Sequence, residues 1–425
     1  MGDKFMRHAL KGERGRGSAS THTAPRLYVL DGLRLVAALT VVLYHYVALR
    51  GGWASDPKGI FPTLHKFAQF GWLGVDLFFL ISGFVICMSA WGRSLGDFVV
   101  SRASRLYPAY WVGILLTTGV LAAWPQVRKA DSFEVVLSNF SMLQTGLNVP
   151  DVDDAYWTLF TELRFYIVFA IVVAMGVTYH KCVLFCGIWT VGAMISPKVD
   201  NDLLTTWTMP AYSPYFVAGI AFFLMHRFKP NAVLWGIVGI SFVLAQHYVE
   251  LRMQLNLGAA RYASVPEWPV RLTIVLAFAV MAGAALGWFD RIQWKWLTTA
   301  GALTYPLYVI HMYIGMTIIK HYQGRVSAAG LLIGVIVLMM LVAWVIHRFV
   351  ERPMGKMLRN SLKRGMAEIR QASTPTPATP ATPSPSAPTT SATPNPTTPD
   401  PHPLIPAPSL EADAPYTPFP RVPGV

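Results

Sequence analysis

The segment YVLDGLRLVAALTVVLYHYVAL, residues 28–49, decides the fold class of this chain. A helix that crosses a bilayer needs about 20 mostly apolar residues, and this segment supplies them. It exceeds the apolar core of a secretory signal, which is about 7–15 residues long, and it lacks a small-residue cleavage site. We therefore expect a retained first membrane helix. Its polar residues, Asp31, Arg34 and His45, are costly inside a bilayer and so point to function.

The rest of the sequence repeats this apolar pattern. Of the 425 residues, 53% are hydrophobic and only 13% are charged, whereas a soluble domain carries about 25% charged residues. The predicted membrane spans are centred near Ala38, Phe79, Leu115, Val168, Gly187, Val217, Val238, Ala279, Val309 and Val335. The sequence therefore predicts an all-α fold, a polytopic transmembrane helix bundle of about ten spans.

The distribution of charge predicts the orientation. The formal net charge is +13, and the basic residues concentrate in every second connection between apolar segments. A few, such as Arg252, fall in the other set. By the positive-inside rule, we expect a multi-pass plasma-membrane protein with both termini cytoplasmic. Membrane lipid is the expected partner of the basic residues, and no motif for binding nucleic acid is present.

The cysteines predict no covalent or metal framework. Cys87, Cys182 and Cys186 all lie in apolar segments. In such surroundings we expect small buried side chains rather than disulfides or metal ligands. No metal site is predicted.

The composition divides the chain into four predicted parts. Residues 1–27 form a basic cytoplasmic segment, 28–355 the membrane domain, and 356–370 a basic juxtamembrane segment. Residues 371–425 are rich in Pro and Thr and predict a disordered tail, because they cannot form a hydrophobic core. We expect a passive tail, and the sequence identifies no partner protein for it.

Two polar residues of the first span lie on one helix face. Arg34 and His45 are eleven residues apart, which places them within about 20° of each other and about 16 Å apart along the axis. Such a stripe suits a long ligand that enters the membrane domain. The alternative is an Arg34 that extends to the interface and pairs with Asp31, together with a structural His45.

Three further ionisable residues lie within predicted spans. Asp76 fits either a structural ion pair or an active site. Glu162 has the depth of His45 and is predicted to orient it, although a structural pair with Arg164 fits equally well. His311 is a catalytic or a structural histidine. We predict catalytic roles for His45, Glu162, His311 and Asp76.

Other residues predict binding functions. Arg102 and Arg105 are one helical turn apart, a spacing that suits a phosphate as well as simple anchoring at the cytoplasmic surface. Tyr305 and Tyr308 flank Pro306, which loosens the helix beside His311 and opens space for a ligand.

These residues resemble the signature of the integral-membrane acyltransferase-3 family over about residues 27–355. The matching elements are Leu30-Asp31-Gly32-Leu33-Arg34 with His45, Gly74–Phe79 through Ser82-Gly83-Phe84, Arg102-x-x-Arg105 with Pro108, Trp157-Thr158-Leu159 with Glu162 and Phe165-Tyr166, Thr304-Tyr305 through Tyr308 and His311, and Glu351-Arg352-Pro353. Each element is weak alone, and six in this order are specific. Thr304 stands where serine is common.

The resemblance implies O-acylation, commonly acetylation, of a carbohydrate hydroxyl by acyl-CoA as donor substrate, with no permanently bound cofactor. Arg34, Arg102 and Arg105 are expected to hold the coenzyme phosphates. We expect His45 to act as general base, oriented by Glu162 or Asp76. His311 and Tyr308 are expected to polarise the thioester or position the acceptor.

Further residues are expected to contact substrate, and they are Trp157, Tyr166, Tyr305 and Tyr308. An envelope glycan is the expected acceptor, and a small metabolite such as a macrolide is the alternative. The competing functional class is a proton-coupled transporter, since buried His, Glu, Asp and Arg also suit a proton pathway. Acyl-CoA consumption distinguishes the enzyme from the transporter.

Overall fold

The computed structural model describes residues 27–49, 52–199, 201–258 and 265–372, and this part of the chain is helical, with no strands. The α-helices are α1 (Tyr28–Leu43), α2 (Pro57–Ile60), α3 (Pro62–Ala68), α4 (Gly74–Ala90), α5 (Leu95–Ala123), α6 (Phe133–Asn139), α7 (Trp157–Ala174), α8 (Tyr179–Val199), α9 (Asp202–Thr208), α10 (Ser213–Phe228), α11 (Ala232–His247), α12 (Val249–Leu257), α13 (Trp268–Ala285), α14 (Trp296–Ile310), α15 (Met312–Tyr322), α16 (Ala328–Ile346) and α17 (Arg352–Ala372).

The number of membrane spans agrees with the sequence pattern. Within the described ranges, eight helical segments are long and apolar enough to cross a bilayer. Two bent pairs, α11 with α12 and α14 with α15, bring the total to ten if each pair forms one span. The predicted all-helical, multi-span fold class is therefore confirmed.

The described residues up to Met366 belong to one compact unit. The second unit, residues 367–425, contributes only the end of α17 to the described part of the chain. The N-terminal segment predicted for residues 1–27 and the tail predicted for 371–425 lie almost wholly outside the described residues. The juxtamembrane segment 356–370 forms part of α17, which continues to Ala372.

The helix of the first span changes its geometry close to His45. A π-helical turn, Tyr44–Ala48, follows α1 directly. A π-turn adds a residue to the helical repeat, and such turns are frequent at functional sites. The change therefore rotates His45 and the residues after it relative to the face that α1 sets.

Close packing of α4 against α10 forms the centre of the bundle. A side chain at Gly83 would overlap the Phe216 carbonyl, and one at Gly219 would overlap the Leu80 carbonyl. Membrane helices rely on such small residues for close approach, since lipid tails are as apolar as their side chains. Both glycines are buried, and each is required because the opposing atom belongs to the backbone.

Substituting Gly219→Ala is expected to destabilise the protein. The added methyl group overlaps backbone, so α4 and α10 must separate, at a cost of about 1–3 kcal/mol. Thermal unfolding of the purified protein in detergent should show a lowered Tm. Gly236→Ala on α11 is the matched control because no atom lies within 4 Å of its Cβ position. Equal Tm values for the two variants would contradict this packing.

Candidate functional site

A cavity lies between α1, α4, α5, α7 and α14, and its empty space, including the solvent at its mouth, is about 660 Å³. Apolar and polar side chains share its wall, and they are Arg34, Val75, Phe78, Phe79, Ser82, Arg102, Arg105, Leu106, Thr158, Leu159, Glu162, Tyr166, Thr304, Tyr305 and Tyr308. Most of the binding residues predicted from sequence therefore meet in one place. Such a mainly apolar cavity with a few convergent polar groups is typical of a small-molecule site.

Three arginines give this cavity a positive side. Arg34 comes from α1, and Arg102 and Arg105 come from one face of α5. Arg102 donates to the Ser101 hydroxyl at 3.1 Å, but its buried Nε has no hydrogen-bond partner among the described residues. A buried donor without a partner costs free energy, so an incoming anionic ligand would be stabilised here.

Glu162 lies in this cavity rather than beside His45. Its Oε1 accepts hydrogen bonds from the Ser82 hydroxyl at 2.7 Å and the Tyr166 hydroxyl at 2.5 Å. The expectation that Glu162 orients His45 is therefore wrong, since the carboxylate is held by α4 and by its own helix, α7. In this position it faces the arginine-lined cavity.

The helix of the ninth span breaks at His311. The axes of α14 and α15 differ in direction by 69°, and His311 is the residue between them. Pro306 was expected to loosen this helix, but α14 continues through Pro306 and the bend follows five residues later. A break of this kind frees backbone groups that must find other partners, because they are buried.

Side chains satisfy the backbone groups that this break frees. In an unbroken helix the Tyr313 N–H would donate to the Val309 carbonyl. Here the Tyr313 N–H donates to Asp153 Oδ2 at 3.2 Å, and the Val309 carbonyl accepts from the Tyr156 hydroxyl at 2.9 Å. The His311 carbonyl keeps its helical hydrogen bond from the Gly315 N–H at 3.1 Å, and the Tyr46 hydroxyl adds a second donor to it at 2.5 Å.

The break also gives His311 its hydrogen-bond partner. The Tyr308 carbonyl would bond to the Met312 N–H in a continuous helix, and instead it lies 2.7 Å from His311 Nδ1. A carbonyl only accepts, so Nδ1 carries the hydrogen and Nε2 of the neutral ring carries the lone pair. This lone pair faces His45.

His45 and His311 form a hydrogen-bonded pair. His311 Nε2 lies 3.0 Å from His45 Nδ1, and His45 Nδ1 also lies 2.9 Å from the Val41 carbonyl. Both neighbours are acceptors, so His45 Nδ1 carries the hydrogen. The free lone pair of His45 is therefore on Nε2, which is the arrangement a general base requires.

Tyr308 connects this histidine pair to the cavity. Its ring lies 5.4 Å from the His311 ring and 6.0 Å from the ring of Phe78, which also lines the cavity. Its hydroxyl lies 2.7 Å from the Thr158 hydroxyl and donates to the Ala155 carbonyl at 3.2 Å. The histidines therefore lie one side chain beyond the cavity wall.

Asp76 is paired with a residue that the sequence analysis placed in a loop. Arg252, on α12, forms a buried ion pair with Asp76 of α4. Its guanidinium also lies 4.7 Å from the centre of the Tyr212 ring. The expected contact of Asp76 with His45 is therefore wrong, because the carboxylate is neutralised by Arg252, and removing either partner would leave an unpaired buried charge.

Trp157 also lies apart from the cavity wall, packed against Tyr212 at a ring distance of 5.4 Å.

Sequence reasoning missed Tyr46, Asp153 and Tyr156, which support the break at His311. A signal for Asp153 was present, since a carboxylate just before a span can cap freed N–H groups, but only the fold shows which ones.

No metal site emerges from these side chains. Among the described residues, no group of three or more His, Cys, Asp or Glu is placed to hold a metal ion. Cys87 and Cys182 lie with their sulfur atoms 3.8 Å apart as free thiols.

Asp153→Asn should change how stability depends on pH. Burial raises the pKa of Asp153 to about 7, above the value of about 3.9 for an unfolded chain. A raised pKa contributes stability below pH 4, and this contribution is lost as pH rises through 7. Thermal unfolding in detergent between pH 5 and 8.5 should therefore show wild type losing stability relative to Asp153→Asn.

The order of stability of the two proteins should reverse at the low-pH end of this range. There the variant should be the less stable protein, because its amide offers one acceptor oxygen where the carboxyl group accepts from both Ala155 and Tyr313. Parallel curves for the two proteins across this pH range would show that Asp153 does not titrate in the folded state.

The sequence matches the acyltransferase-3 family model, described as an acyltransferase domain, over residues 27–348. No solved structure matches the chain significantly.

Three relatives illustrate the range of similar proteins. The exopolysaccharide production protein ExoZ of Rhizobium meliloti is 31% identical over 187 residues, which is 40% of this chain and 56% of ExoZ. The O-acetyl transferase of Shigella phage Sf6 is 29% identical over 59% of this chain and 75% of its own length. The acyltransferase MdmB of Streptomyces mycarofaciens is 24% identical over 78% of this chain and 92% of its own.

Proposed function

Because this chain belongs to the acyltransferase-3 family, we propose that it moves an acetyl group from acetyl-CoA to a hydroxyl of an envelope carbohydrate. Family membership makes the protein a membrane enzyme that transfers acyl groups. The buried polar residues suit either an enzyme or a transporter, and family membership favours the enzyme. The donor, the acceptor and the residue roles are the proposed part.

The observation that carries this proposal is the His45–His311 pair beside an arginine-lined cavity. The 3.0 Å contact and the backbone acceptors of both rings leave the lone pair of His45 Nε2 available. Acyl transfer to an alcohol needs such a base, because a hydroxyl is a weak nucleophile until its proton is removed. A phosphorylated acyl donor needs the cations of the cavity.

In the proposed reaction, His45 Nε2 takes the proton of the acceptor hydroxyl while the hydroxyl oxygen attacks the thioester carbonyl. The tetrahedral intermediate then collapses, the carbon–sulfur bond breaks, and the thiolate receives the proton from His45. The charge that His45 gains in between is stabilised by His311 Nε2, which accepts from His45 Nδ1–H. Acetyl ester and free coenzyme A are the products.

This assignment changes the role expected of His311. In the deduced tautomer its Nε2 accepts a hydrogen bond from His45, so it has no hydrogen to donate to the thioester oxygen. His311 is thus a positioning residue for His45. Glu162 is assigned to the cavity, where it balances the charge of the three arginines.

The carbohydrate acceptor is supported by the relatives. One is named for exopolysaccharide production and another as an O-acetyl transferase. We place the donor arginines at the cytoplasmic face and both termini in the cytoplasm of a plasma-membrane protein. The positive-inside charge bias supports this orientation, and the histidine pair then lies towards the outer side.

Sealed inverted membrane vesicles with labelled acetyl-CoA outside test the proposal. Wild type should release coenzyme A and pass label to a non-protein acceptor. His45→Ala should lower turnover about 10²–10⁴-fold, the usual contribution of a general base. His311→Ala should lower it too, and His311→Gln should restore part of it, because the glutamine carbonyl can accept from His45 Nδ1–H.

The control is His321→Ala, since His321 stacks on Trp124 away from the cavity and should leave turnover unchanged. Full turnover in well-expressed His45→Ala would remove His45 from the mechanism. If wild type neither binds nor consumes acetyl-CoA in vesicles that retain their natural acceptors, the proposed donor is wrong.

A further inference from the structure

A second basic groove lies beside the arginine-lined cavity. It lies between the start of α5 and the last helix, α17, and its empty space, including open solvent, is about 550 Å³. Its wall contains three cations, one carboxylate and one hydroxyl, and the lining residues are Arg93, Asp97, Val100, Ser101, Arg359 and Lys363. The sequence pattern assigned none of these side chains to substrate binding or catalysis.

Ser101 joins the groove to the cavity. Its hydroxyl accepts from Arg93 at 3.3 Å and from Arg102 at 3.1 Å, and Arg102 lines the cavity. Arg105 lies three residues after Arg102, nearly one turn further along α5 and about 4.5 Å along the helix axis. The cations thus form one row that runs from the groove to the interior of the bundle.

The charge of the groove favours an anion. Lys363 is partly neutralised by Asp97 at 3.2 Å, whereas Arg93 and Arg359 form no ion pair among the described residues. Together the side chains carry a net charge of two positive units, from three cations and one carboxylate. The guanidinium group of arginine binds two phosphate oxygens at once through parallel hydrogen bonds.

Two separate phosphate-binding positions suit a particular class of ligand. Coenzyme A carries a pyrophosphate and, one ribose away, a 3′-phosphate. Resting on the acetyl-CoA donor of the proposed function, we propose that Arg93, Arg359 and Lys363 bind the 3′-phosphate of the donor nucleotide. Arg34, Arg102 and Arg105 then hold the pyrophosphate, and the pantetheine arm extends towards His45.

This arrangement gives α17 a role in substrate binding. Arg359 and Lys363 lie on the face of α17 that packs on α5, where the Cβ position of Gly96 contacts Met366. The groove therefore exists only when α17 is docked. Anionic lipid headgroups offer the same phosphate chemistry, so the test must separate the two sources.

Binding of coenzyme A and of dephospho-coenzyme A to the full chain in phosphatidylcholine nanodiscs tests this proposal. Wild type should bind coenzyme A about tenfold more tightly than dephospho-coenzyme A, since only coenzyme A has the 3′-phosphate that forms charge-assisted hydrogen bonds in the groove. Arg359→Gln and Lys363→Gln should bring coenzyme A affinity down to that of dephospho-coenzyme A and leave the latter unchanged. Asp97→Asn should tighten coenzyme A binding, because a repelling carboxylate is removed.

Arg364→Gln is the matched control, since it removes the same charge from the adjacent position of α17 but does not line the groove. Equal wild-type affinity for both nucleotides would overturn the 3′-phosphate site and leave the donor cavity intact. No binding of either nucleotide would overturn both. If phosphatidylglycerol in the nanodisc abolishes the preference for coenzyme A, the groove is a lipid site.

Discussion

The break in the ninth span at His311 is the constraint on which the rest of the site depends. Buried backbone groups in a membrane bundle cannot turn to water, so a helix can break only where other groups replace its hydrogen bonds. Asp153, just before the fourth span, and Tyr156, at its start, supply those groups, and Tyr46 from the first span adds a second donor to the His311 carbonyl. Three separate parts of the chain therefore meet at one residue.

The same break sets the chemistry of the histidine pair. With the Tyr308 carbonyl no longer occupied by a backbone N–H, His311 Nδ1 takes that acceptor and its Nε2 is turned to His45. The π-helical turn that contains His45 provides the second ring. A local loss of regular helix on each of two spans thus produces an oriented pair that no regular helix provides.

The remaining buried charges are divided between two purposes. The Asp76–Arg252 pair joins α4 to α12 and is surrounded by aromatic rings, which suits a structural role. The arginines of α1 and α5 instead line open space, and a buried donor of Arg102 remains without a partner among the described residues. The neutralised pair therefore suits a role in packing the bundle, whereas the arginines that line open space suit the binding of an anionic ligand.

The sequence by itself determined the fold class, the approximate number of spans and which polar residues lie within them, because apolar runs of spanning length have few alternatives. It also placed most of the cavity residues, since Arg34, Arg102, Arg105, Glu162, Tyr305 and Tyr308 belong to ordered motifs. Only the tertiary structure decided the partners. Periodicity gives the face of a helix but not its neighbour, and His45 and His311 are 266 residues apart. For the same reason, the sequence pattern placed Glu162 and Asp76 beside His45. In the structure, Glu162 accepts a hydrogen bond from Ser82, and Asp76 forms an ion pair with Arg252.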